Sequence, residues 1–70
     1  MTAEQWLAAY ASALGTAAPT EEELEAVLAL AGVAAHSSER RAAPVACWLA
    51  ARADVPLEEA MKHAKALSGE

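Results

Sequence analysis

Six consecutive residues, His36-Ser37-Ser38-Glu39-Arg40-Arg41, hold an imidazole, two hydroxyls, a carboxylate and two guanidiniums, and Pro44 follows closely. If a helix starts near Ser38, its free N–H groups and the hydroxyls face outward. Anions bind such ends, and arginine adds bidentate charge-assisted hydrogen bonds. A phosphate, a carboxylate or an acidic side chain of a partner suits that chemistry. His36, Ser38, Glu39, Arg40 and Arg41 are therefore the candidate anion- or partner-binding residues. Two plainer readings compete. Ser38 can be an ordinary N-cap with Glu39 paired to a neighbouring arginine. Alternatively, one arginine folds inward onto loose carbonyls around Pro44, with His36 packed beside it.

Other reactive side chains are sparse. His36, Cys47, Met61 and His63 could each ligate zinc or copper, but their spacing matches no ligand signature, so no metal is expected. Cys47 lies in an apolar helical run beside Trp48, where a small buried thiol is the common case. There is no glycine-rich phosphate loop. A chain of 70 residues also has little room for an enclosed active site. No catalytic residue and no cofactor are expected, and the chain does not read as an enzyme. Trp6, Tyr10 and Trp48 are either core or exposed anchors. Trp48, off the Val45/Ala46/Leu49 stripe, is the better candidate for a partner anchor.

The elements that must hold these residues follow from helical periodicity. Thr2 and Gln5 form a capping box, and Ala3, Leu7, Tyr10 and Leu14 make a stripe with Trp6 and Ala11 beside it. Gly15 then stops a helix spanning about residues 3–14. Thr20 and Glu23 form a second box, with three glutamates at the positive end of the dipole. Leu24, Val27, Leu28, Ala31 and Ala35 continue that helix over about 21–37, with Gly32 either a weak point or a place of close helix approach.

A third helix is expected over 38–53, kinked near Pro44, with Ala42, Val45, Ala46, Leu49 and Ala53 as its core stripe. The alternative carries helix two through Arg41 and starts the next at Pro44. An unbroken helix from 21 to 53 would be about 50 Å long, too long for this chain alone. Pro56 opens a last helix over 56–67, with Leu57, Ala60, Met61, Ala64 and Leu67 on its apolar face. The fold class is all-α: one domain, residues 1–70, built as a compact bundle of about four short helices.

Composition sets limits on this bundle. Alanine supplies 21 residues and there is no Phe, so helices form readily but the core is small. A partner surface, a second copy or a larger protein, is one remedy. The net charge of −5 argues against nucleic acid. Residues 1–39 carry six acids and no Lys or Arg, which makes Arg40, Arg41 and Arg52 a candidate cationic site on an acidic molecule. The single cysteine excludes an internal disulfide. No signal peptide or spanning helix is legible, so a cytoplasmic protein with no membrane role is the expectation.

The stretch from Leu28 to Leu49 resembles a small helical family of unknown function found mainly in high-GC Gram-positive bacteria. The resemblance rests on an alanine-rich helix, then Ala35-His36, Glu39-Arg40 and Ala43-Pro44 before an apolar helix. The opening with Trp6-Leu7 is also similar. Where that family tends to have a glycine after the apolar run, Ala51 stands here, followed by Arg52. Some of its members stand alone. Others look like a C-terminal extension of molybdenum-cofactor guanylyltransferase-type proteins. The resemblance thus implies an accessory or interaction domain connected with maturation of that cofactor, in bacteria. The competing expectation is a module that binds phosphate or a pterin phosphate through His36–Arg41.

Overall fold

The computed structural model describes residues 1–69 as four helices: α1 (Ala3–Leu14), α2 (Glu21–Ser37), α3 (Ala42–Ala53) and α4 (Leu57–Ser68). The all-α architecture is the expected one. Both capping boxes form. Gln5 N–H donates to Thr2 Oγ1 at 3.1 Å and Thr2 N–H to Gln5 Oε1 at 2.9 Å; Thr20 and Glu23 exchange the same two bonds at 3.1 and 2.8 Å. Gly15, at φ 81°, ends α1, and Asp54, at φ 57°, ends α3 in the left-handed region that few non-glycine residues adopt.

Helix α2 is the centre of the bundle and packs against both α3 and α4. Leu30, 3% exposed, is its most buried residue. Helix α4 runs alongside α2 in the same direction. Ala26 shares a groove with Leu57 and Met61 near their N-terminal ends, and the Ser37 and Ser68 hydroxyls hydrogen-bond at the C-terminal ends. Helix α1 is held less firmly, through Leu7 and Ala11 on its inner side. A Cβ on Gly32 would meet nothing within 4 Å, so this glycine serves no close helix approach.

The third helix starts later than 38–53. Its first residue is Ala42, and 38–41 form the connecting turn. Pro44 therefore falls in the first turn, where its missing N–H breaks no helical bond and no kink is required. The apolar stripes depart in part from their expected positions. In α3 the half-buried residues are Ala42, Ala43, Ala46, Cys47 and Ala50, while Val45 and Leu49 are 53% and 47% exposed. In α2 Leu30 replaces Leu28 as the core leucine, and in α1 Leu7 and Ala11 point inward rather than Tyr10 and Leu14. In α4 the expected face holds at Leu57, Ala60, Met61 and Ala64, but Leu67 is exposed and Ser68 half-buried. On α3 the half-buried side is mostly small residues, and Val45, Trp48 and Leu49 are left outside.

The consequence is a surplus of surface. The chain exposes 5438 Å², whereas a folded monomer of 7.2 kDa exposes about 4,100 Å². Its radius of gyration is 12.7 Å, against about 11 Å for 70 residues in a globular domain.

Candidate functional site

The connecting turn at 38–41 is fully exposed, and its geometry differs from an anion cradle. Ser38 is the C-cap of α2, not the N-cap of α3: its hydroxyl donates back to the Ala34 carbonyl at 2.9 Å. The Ser37 hydroxyl is likewise committed, to Val33 O and to Ser68. At the start of α3, Ala42 N–H donates to Glu39 O at 3.0 Å and Ala43 N–H to Arg40 O at 3.1 Å, and Pro44 has no N–H. The first turn of α3 thus has no free backbone donor to offer an anion.

The side chains divide in the same way. Arg41 Nε donates to Glu39 Oε2 at 3.1 Å, with both side chains largely in solvent. A pair so exposed contributes little stability. Neither Arg40 nor Arg41 folds inward onto the carbonyls near Pro44: both are exposed, and among the described residues neither donates to a backbone carbonyl. His36 and Arg40 are exposed, and Arg40 has no ion-pair partner among the described residues. Arg52 does not join Arg40 and Arg41 in one cationic site: about 16 Å of helix rise separates Arg41 from Arg52. The Arg52 guanidinium instead lies 4.6 Å from the centre of the Trp48 ring.

Cys47 is half-buried. Its thiol faces the Val27 carbonyl at 3.8 Å, and burial pushes its pKa up. That is the opposite of what a nucleophilic or metal-binding thiolate requires. Among the described residues no three His, Cys, Asp or Glu side chains gather where a metal could be held.

The surface with the richest potential for recognition lies elsewhere, on α1 and α3. All three aromatic residues are about half exposed: Trp6 at 53%, Tyr10 at 50% and Trp48 at 57%. Trp6 and Tyr10 stack with ring centres 5.0 Å apart, and Leu14 continues their line one turn on. On α3, Val45, Trp48, Leu49 and Arg52 fall at i, i+3, i+4 and i+7, so they form one outward stripe. Between the two helices runs an open, largely apolar groove of about 480 Å³, lined by Tyr10, Leu14, Val27, Cys47 and Ala51 among others, with Glu23 its one charged residue. Sequence reasoning singled out Trp48 and left Trp6 and Tyr10 open as core or anchors, but it placed Leu14, Val45 and Leu49 on core stripes. Only the exposure of the larger residues distinguishes this face, and periodicity does not report it.

No helix among the described residues is long and apolar enough to cross a membrane. Comparison with curated proteins and with solved structures found no match. Over residues 1–69 the chain matches a domain of unknown function, DUF6457, and it belongs to that family.

Proposed function

We propose that this chain is a non-enzymatic interaction domain that docks on protein through the α1–α3 face. One observation carries the reading: α3 turns Ala42, Ala43, Ala46 and Ala50 inward and Val45, Trp48 and Leu49 outward. A fold stabilised only by its own core would gain more by burying the larger side chains, since burial free energy scales with apolar area. The observed register is favourable when another surface covers the outer stripe. Aromatic residues with an adjacent arginine are also the residue types that dominate binding energy at interfaces.

The proposed setting is the bacterial cytoplasm, as an accessory to molybdenum-cofactor maturation. What supports it is the resemblance of the His36–Pro44 stretch to extensions of guanylyltransferase-type proteins, which implies a pathway and no reaction. Binding of a phosphate or pterin phosphate at the α2–α3 turn is the weaker reading, because the serine hydroxyls and the first α3 N–H groups there are already bonded.

Site-specific photocrosslinking in the source cell tests docking. A photoreactive residue in place of Trp48 should give a discrete protein adduct, and the same residue in place of Lys62 on α4 should give none. Equal background labelling from both positions would overturn the proposal.

A further inference from the structure

We infer that the occupant of the α1–α3 face is a second copy of this chain, related by a two-fold axis that sets α1 of each copy on α3 of the other. This rests on the docking reading above and names its partner. The first argument is area. The chain exposes 5438 Å², about 1,300 Å² more than a folded monomer of its mass. A stable interface takes about 800 Å² or more from each partner. The surplus exceeds what one such interface takes from each partner, so a single isologous contact fits within it. The second argument is charge. Helix α1 carries one charged side chain, Glu4, and α3 carries one, Arg52. Setting α1 on the partner's α3 therefore opposes no like charges. The third is the weak hold on α1. A helix of 12 residues is marginal alone, and the inner contacts of Leu7 and Ala11 leave its aromatic side free to pack on the partner.

Sedimentation equilibrium of the full chain, from low micromolar to several hundred micromolar, tests the proposal. The expected mass rises to twice 7.2 kDa. Trp48→Glu and Tyr10→Glu should each weaken the dimer by at least about a hundredfold, with helical circular dichroism unchanged. Trp48→Phe should retain the dimer, and Lys62→Glu on α4 should have no effect. A mass of 7.2 kDa at every concentration, or a dimer that both glutamate variants leave intact, would overturn it. In the monomer case the docking reading still stands if the crosslink from position 48 captures a different protein, and fails if it captures none.

Discussion

Leu30 and Leu28 sit two positions apart on α2 with opposite environments, 3% and 60% exposed. Replacing Leu30 by alanine removes three heavy atoms from the contact of α2 with its neighbours. Such a change in a closed site costs about 2–5 kcal/mol. A 70-residue domain has only about 4–10 kcal/mol in total, so this one substitution removes roughly a third to a half of the stability. With about 4–8 °C per kcal/mol for a domain of this size, a loss near 3 kcal/mol lowers Tm by about 12–24 °C. Leu28→Ala forfeits under half of a side-chain burial worth about 1.5–3 kcal/mol, and alanine's helix propensity recovers some of it. Its cost should be about 1 kcal/mol or less. Both variants are best compared by circular dichroism melts and urea titration in a Trp48→Glu background, where self-association does not contribute. Equal losses, or a larger loss for Leu28→Ala, would refute the rotated packing of α2.

Three further outcomes are expected. Gly32→Ala should stabilise the protein by about 1 kcal/mol in urea titration, because the added methyl meets nothing and glycine is unfavourable in a helix interior. Arg40→Ala should change stability by no more than about 0.5 kcal/mol, and inorganic phosphate should raise Tm in neither the variant nor the parent; a phosphate-dependent rise that Arg40→Ala abolishes would restore the anion reading. The Cys47 thiol should be alkylated more slowly at pH 8 than a free thiol, because its pKa is raised above its ordinary 9.0 by burial. Its folded state holds the proton more tightly than the unfolded state. The stabilising contribution is therefore complete below pH 9.0 and is lost as pH rises through the folded value. Cys47→Ala should flatten that part of the pH–stability curve.

Much of the fold is legible in the residues. Thr2/Gln5 and Thr20/Glu23 mark two helix starts, and Gly15 marks a stop, because each satisfies backbone groups in a way few other residues can. The start of α3 is less legible. Ser38 is equally suited to cap a helix it precedes or to bond back into one it ends, and only the Ala34 contact decides. The register of α3 is not legible by periodicity. Ala42/Ala46/Ala50 and Val45/Leu49 are both apolar sets at helical spacing, and choosing between them requires knowing how closely α2 approaches. The same ambiguity hides the docking face, since an interface stripe and a core stripe have the same spacing. The His36–Arg41 stretch stands out by composition, but most of its polar groups are occupied in ending one helix and starting the next.

Hydroxyl-radical footprinting of intact cells, read by mass spectrometry, tests most directly whether the α1–α3 face is covered when the protein works. Trp6, Tyr10 and Trp48 should be labelled several-fold less in cells than in the dilute purified chain, while His63 is labelled alike in both. Equal labelling of the three aromatic residues in the two settings would contradict docking through this face.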